Sequence, residues 1–221
     1  MNEHIRMVVL DDRQAWLDHR KKYIGGSDVS AIVGVNPYKN NQQLWEEKTG
    51  RREAEDISER PLVKYGTEAE NYLRELFRLD FPEYDLRYVG NNSFLNDKYP
   101  FAAASLDGWL FDKDGRLGIW ECKTSTIQNA NQWKIWDGCI PDYYYTQCLY
   151  YMGVLEADFC MLKAQLKSIR TDDFPRISTR HYVFERSEVQ EDIDYIMQEA
   201  AEFYERVKSG KCPDLILPSI I

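Results

Sequence analysis

The chain has 221 residues, of which 43% are hydrophobic and 14% aromatic, with 28 Lys and Arg against 37 Asp and Glu for a net charge of −9. This length and composition suit one globular domain over residues 1–221 with a sizeable core and exclude a disordered or low-complexity polymer, and no apolar run approaches the roughly 20 residues that cross a bilayer, so a soluble protein with no membrane partner is expected. The negative balance argues against nucleic-acid binding by bulk charge, although residues 185–208 alone supply −5 of it and basic clusters remain at His19-Arg20-Lys21-Lys22 and at Lys163, Lys167 and Arg170.

Ser27 precedes Val29, Ile32 and Val33 at helical spacing and Gly34 follows, which predicts a short helix capped by Ser27. A second short helix fits Gln42 to Lys48, and the polar stretch 51–60 reads as an exposed loop. A longer helix begins near Pro61 and runs through Leu62, Val63, Leu73, Leu76 and Phe77. Three strands are predicted next, Leu86 to Leu95, Phe101 to Phe111 and Leu117 to Thr124. A helix from Pro141 to about Leu155 follows, then strands over Ala157 to Leu166 and Thr179 to Glu185. The closing amphipathic helix turns Val189, Ile193, Ile196, Ala200, Phe203 and Val207 inward. This order is that of an α+β protein with a central mixed β-sheet flanked by helices.

The five cysteines are odd in number and form no CxxC pair, which argues against a disulfide framework and a zinc site. The first residues, MNEHIRMVVLDD, do not resemble a signal peptide. A reducing, cytoplasmic setting is expected.

Glu121 and Lys123 stand two apart on an apolar strand and so share a face, while Cys122 points to the opposite layer. Exposed ion pairs on strands are common, and this pair needs a partner to carry chemistry. Asp107 supplies one if Lys113, Asp114 and Gly115 form a three-residue loop with Gly115 left-handed, because residue 112 then pairs with 116 and 107 with 121. A two-residue turn would put Asp107 opposite Cys122, on the wrong face. Two facing carboxylates repel unless a cation lies between them, and oxygen ligands without histidine or thiolate favour Mg²⁺ or Mn²⁺. A two-ion site needs a further carboxylate, and Glu70 qualifies because its helical neighbours Gly66, Leu73 and Phe77 lie on the inward stripe. Gln147 is placed similarly beside Tyr144, Cys148 and Tyr151, where a hydrogen-bonded core amide is the alternative.

Together, Ser105-Leu106-Asp107-Gly108 and Glu121-Cys122-Lys123 resemble the PD-(D/E)XK nuclease signature. More closely, the chain resembles the lambda exonuclease and YqaJ-type viral recombinase family, through Trp16 to Arg20, Gly25-Gly26-Ser27-Asp28-Val29, Tyr65-Gly66-Thr67-Glu68-Ala69-Glu70-Asn71, the two strand motifs and Tyr145-Thr146-Gln147-Cys148. The resemblance implies a restriction-endonuclease-like core and metal ligation by Asp107, Glu121 and the Cys122 backbone carbonyl. It gives Lys123 the attacking water, brings Glu70 and Gln147 in to complete the site, and assigns a terminal 5′-phosphate of DNA to Arg20, Ser27 and Ser105. It further implies double-stranded DNA ends as substrate, a homotrimeric ring and a single-strand annealing protein as partner in recombination. Leu106 replaces the proline of the usual signature, and Cys122 and Thr124 depart from one common form of the strand.

Other readings fit less well. An iron-sulfur relative of the same core needs a cysteine before the core, and none precedes Cys122. A DNA-binding protein that keeps only the fold would be expected to lose one of Asp107, Glu121 and Lys123. A serine hydrolase would need a G-x-S-x-G elbow, which Gly25-Gly26-Ser27 does not make. The aromatic stretch Trp133 to Tyr151 could stack bases, but aromatics at helical spacing are usually core.

Overall fold

The computed structural model describes residues 2–168 and 175–217. Arg170, one member of the second basic cluster, lies outside them. The elements in chain order are β1 (Ile5–Val9), α1 (Arg13–Lys21), α2 (Gly26–Ile32), α3 (Asn41–Lys48), α4 (Pro61–Asp80), β2 (Asp85–Arg87), β3 (Asn92–Asn96), β4 (Ala103–Ala104), β5 (Gly108–Phe111) and β6 (Leu117–Ile127). There follow α5 (Ala130–Ile135), α6 (Asp142–Leu155), β7 (Phe159–Ser168), β8 (Arg176–Glu185) and α7 (Arg186–Ser209).

Five strands form a mixed sheet in the order β2-β5-β6-β7-β8, in which only the β6–β7 pair is parallel. One face carries α4, whose Leu73 and Phe77 pack with Trp120, Cys122, Phe159 and Met161. The other face carries the larger core, built from α2, α6 and α7 against residues such as Ile119, Leu162 and Ala164. This is the expected α+β arrangement of a mixed sheet flanked by helices. α7 buries Val189, Ile193, Ile196, Ala200 and Phe203, with Val207 half-buried, as its periodicity predicts. Among the described residues, no helix is long and apolar enough to cross a membrane.

Three elements carry weak sequence signals. β1 joins an unanticipated three-stranded sheet, β1-β3-β4. α1 is capped by the Asp12 carboxylate, which accepts from the Ala15 N–H at 2.8 Å, yet buries only Trp16. α5 buries no residue, so no apolar stripe marks it.

Two predicted strands are corrected. The stretch 86–95 divides into β2 and β3, and 101–111 into β4 and β5, with the halves in different sheets. The break before β3 is Asn91, whose φ of 51° reverses the chain locally. Asn92 then binds across to the second break. Its amide donates to the Leu106 carbonyl at 2.9 Å and the Val89 carbonyl at 2.7 Å, and its oxygen accepts from the Leu106 N–H at 2.8 Å. The backbone of Leu106 thus has a partner where it leaves one sheet for the other.

Ser27 is not a cap. The N-cap of α2 is Gly25, whose N–H donates to the Asp28 carboxylate at 2.9 Å, and Ser27 lies within a helix of seven residues. Gly26 lies against α6, where a Cβ would come within 2.4 Å of the Tyr151 ring. Only glycine permits that approach.

Replacing Asn92 by Leu keeps the branched outline of the side chain but strands both polar groups of Leu106, each worth about 1–3 kcal/mol when buried without a partner. Urea unfolding of Asn92→Leu is expected to show a loss of roughly 2–4 kcal/mol, and an unchanged midpoint would remove Asn92 from this role.

Candidate active site

β5 and β6 are joined by the predicted turn. Gly115 has φ +78°, its N–H donates to the Asp112 carbonyl at 3.0 Å, and the Asp112 N–H donates to the Arg116 carbonyl at 3.2 Å. The ladder runs from Phe111 opposite Leu117 to Gly108 opposite Trp120, so the next residues back and forward, Asp107 and Glu121, face one another. β5 begins only at Gly108, and from Glu121 onward β6 has no strand on that side. A cleft of about 520 Å³ opens there, lined by residues of α1, α4 and α6 together with this strand end.

Glu121 is only 1% exposed. Its Oε1 accepts from Lys123 Nζ at 2.6 Å and from Gln147 Nε2 at 2.8 Å, while Oε2 is buried with no partner among the described residues. Gln147 also donates to the Tyr151 hydroxyl at 3.1 Å, so α6 ties the carboxylate to the larger core. Burial first, and then Asp107, raises the Glu121 carboxyl to about 8. Burial works to lower the Lys123 ammonium, but Glu121 and Asp107 outweigh it and hold it well above its usual range. Tyr144 adds its ring face, with Lys123 Nζ 5.0 Å from the centroid.

Asp107 turns Oδ2 to the Cys122 N–H at 3.0 Å. Cys122 itself points to the α4 layer, as the strand alternation predicts. Glu70 reaches the cleft from α4 and is paired with Arg74 four residues on. Burial and Asp107 together raise Glu70 to about 7 against the pull of Arg74. Arg74, a residue that the sequence motifs do not single out, is 3% exposed and donates from Nε to the Asp107 carbonyl at 2.9 Å. Its only sequence signal is the Glu70–Arg74 spacing, which is that of an ordinary helical ion pair.

Arg20, Ser27 and Ser105 line the same cleft. Arg20 Nη2 donates to the Ser27 hydroxyl at 2.7 Å, and Trp16 Nε1 donates to the Ser105 hydroxyl at 3.1 Å. All eight side chains expected at the site therefore come to one opening, although Ser27 presents its hydroxyl there and is not a cap. The second basic cluster does not hold. Lys163 is buried and paired with Asp80 at 3.0 Å, so it forms no basic surface. Much of the aromatic stretch is core, as expected of aromatics at helical spacing, with Trp136, Tyr150 and Tyr151 buried.

Among the described residues, no three His, Cys, Asp or Glu side chains converge as a ready-made metal cage. The donors at the strand end are nonetheless suited to a hard cation: the unpartnered Glu121 oxygen, the facing Asp107 carboxylate and the neighbouring backbone. A buried carboxylate oxygen without a donor is costly unless the group is protonated or meets a cation.

The family model of the YqaJ-like viral recombinase domain matches residues 15–158, a span that holds every one of these site residues. The uncharacterized protein YqaJ of Bacillus subtilis (strain 168) is 30% identical over 205 residues. That match covers 92% of this chain but 59% of the relative, so the chain spans less than two thirds of its length. Among solved structures, the alkaline exonuclease LHK-Exo from Laribacter hongkongensis superposes with a TM-score of 0.63 at 18% identity, covering 90% of this chain and 94% of that one. A putative exonuclease from Eubacterium rectale gives 0.51 at 13% identity, covering 96% and 90%. At such identities the likeness is one of fold, the restriction-endonuclease-like arrangement expected from the motifs, whereas the sequence match carries the kinship. The chain belongs to the YqaJ-like viral recombinase family.

Proposed function

We propose that the protein is a metal-dependent DNA exonuclease that hydrolyses linear duplex DNA from a 5′-phosphorylated end in the 5′ to 3′ direction, leaving single strands for recombination. The observation that carries this reading is the buried Glu121, paired with Lys123 and Gln147 and facing Asp107, with its other oxygen buried in the cleft wall and unpartnered among the described residues. In this reading Asp107, Glu121 and the Cys122 carbonyl hold Mg²⁺ or Mn²⁺, and Glu70 serves a second ion once released from Arg74. Such ions supply an acidified water and stabilise charge on the phosphate. The chain supplies the rest. Lys123, held charged by Glu121, places a positive charge beside the attacking water, and Gln147 keeps the carboxylate turned into the cleft. The LHK-Exo fold, seen also in complex with dAMP with a TM-score of 0.64, supports a nucleotide-bearing cleft.

The 5′ to 3′ direction rests on Arg20, Ser27 and Ser105, a guanidinium and two hydroxyls gathered beside Asp107. A terminal phosphate held there would place the next phosphodiester over the carboxylates. A ring of three copies would let the acidic outer face of α7 point away from DNA, with Glu188, Glu191, Asp192, Asp194, Glu202 and Glu205 all exposed. The single strand released would suit a single-strand annealing protein as partner.

Linear duplex, closed circular duplex and single-stranded DNA, each incubated with and without Mg²⁺, test the activity. Loss of the linear duplex alone, and only with metal, is the expected result; binding without cleavage in any condition would favour a DNA-binding protein on the same fold. Glu121→Ala and Lys123→Ala are each expected to lower cleavage by on the order of 10²-fold or more. Full activity in either would sink the assignment.

End preference is read separately. The wild type should degrade 5′-phosphorylated duplex faster than 5′-hydroxyl duplex, and Arg20→Ala should lose that difference; equal rates on both ends in the wild type would refute the pocket. Light scattering at working concentration should give three times the chain mass, and a monomer would remove the ring.

A further inference from the structure

Trp16 carries two guanidinium groups. The Arg13 carbon lies 4.2 Å from the centroid of the indole and the Arg20 carbon 4.5 Å, so the two cations stand at most about 9 Å apart. Their spacing on α1, residues 13, 16 and 20, is that of one helix face. The ring is itself fixed, 8% exposed and bonded through Nε1 to the Ser105 hydroxyl and, at 3.3 Å, to the Asn92 carbonyl. A platform anchored to the strand end thus holds both cations over the cleft that contains Asp107 and Glu121.

The two arginines differ in depth and in partners. Arg20 is half-buried and donates to Ser27, whereas Arg13 is exposed at the mouth of the cleft. Among the described residues, no carboxylate lies within ion-pair distance of Arg13, although Asp11 and Asp12 precede it in the chain. Its place is also unfavourable for the helix. As the first residue of α1 it puts a positive charge at the positive end of the dipole, where anions are favoured and cations are not. An unpaired cation kept against that preference, stacked on a fixed ring at the lip of the cleft, is suited to a ligand phosphate. It also lies outside the span that matches the family model.

We propose that Arg13 is a second phosphate-binding site, which holds an internal phosphodiester of the DNA strand whose terminal phosphate lies at Arg20. This rests on the nuclease reading only for the identity of the strand. With the next phosphodiester placed over the carboxylates, the outer position of Arg13 assigns it a phosphate further from the end, beyond the scissile bond. The indole holds the fork by cation–π attraction while leaving its N–H groups free to donate.

The test is the salt dependence of binding. A labelled duplex is titrated by fluorescence anisotropy in EDTA, on a Glu121→Gln background that cannot interfere by cleavage, with Arg13 intact and with Arg13→Ala. A lost phosphate contact flattens the slope of log K against log salt by about 0.9, so that a fourfold rise in salt weakens the variant about 3.5-fold less than the parent. The flattening should be equal on 5′-phosphate and 5′-hydroxyl ends, and Arg13→Lys should restore most of it. An unchanged slope in Arg13→Ala would overturn the proposal, as would a loss confined to 5′-phosphorylated ends, which would place Arg13 in the terminal pocket. Failure of the parent to bind DNA at all would overturn it together with the nucleic-acid reading. Binding with the expected slopes but no cleavage by the wild type in Mg²⁺ would refute the nuclease reading and leave the Arg13 site standing.

Discussion

A carboxylate buried in the middle of a sheet must be compensated, and most of this cleft can be understood as the compensation of Glu121. Two donors reach one of its oxygens, Lys123 from the same strand face and Gln147 from α6. The other oxygen has none. Leaving it so is costly unless a proton or a cation arrives, and burial together with Asp107 has already raised the group to about 8. The same charges act in the opposite sense on Lys123, whose ammonium is strengthened by its acidic neighbours. The strand end is therefore electrostatically polarised: a firm cation beside an acidic pair that lacks one.

This polarisation depends on packing some distance away. Gln147 can reach Glu121 only because α6 is pressed into the larger core, and α6 lies close to α2 only because Gly26 has no side chain to meet Tyr151. From the other layer, Arg74 holds the Asp107 carbonyl and Glu70 at once, stacked 3.5 Å from the Tyr88 ring centroid. The two layers meet at this point because β5 is short. Where it stops, β6 keeps β7 on one side and, among the described residues, has no strand on the other, and side chains from both faces of the sheet share one opening.

The distribution of positive charge follows the same logic of burial. Lys163 belongs to a basic cluster in sequence, yet it lies beneath α4 and is spent on Asp80 at the end of that helix. Lys123 and Arg74 line the cleft too but are paired with Glu121 and Glu70, so the cations left at its lip are those of α1, held by the Trp16 ring, while most carboxylates of α7 face outward. A chain with a net charge of −9 can thus present a locally positive lip beside its acidic centre.

Local patterns in the sequence determined what local physics controls. The period of two put Glu121 and Lys123 on one face, the left-handed Gly115 set the turn and hence Asp107 opposite Glu121, and the helical period placed Leu73 and Phe77 inward beside Glu70. The motifs, taken in order, were enough for the family. Tertiary structure alone decided the division of two apparent strands between two sheets, because the side chain of Asn92 satisfies a backbone 14 residues away and nothing near either break signals it. It decided that Gly25, not Ser27, caps α2, that Lys163 is buried, and that Arg74 clasps Asp107. It also decided that Arg13 and Arg20 share one ring. Each of these depends on a contact between segments far apart in the chain or on a choice between neighbouring residues of similar propensity, and periodicity carries no information about either.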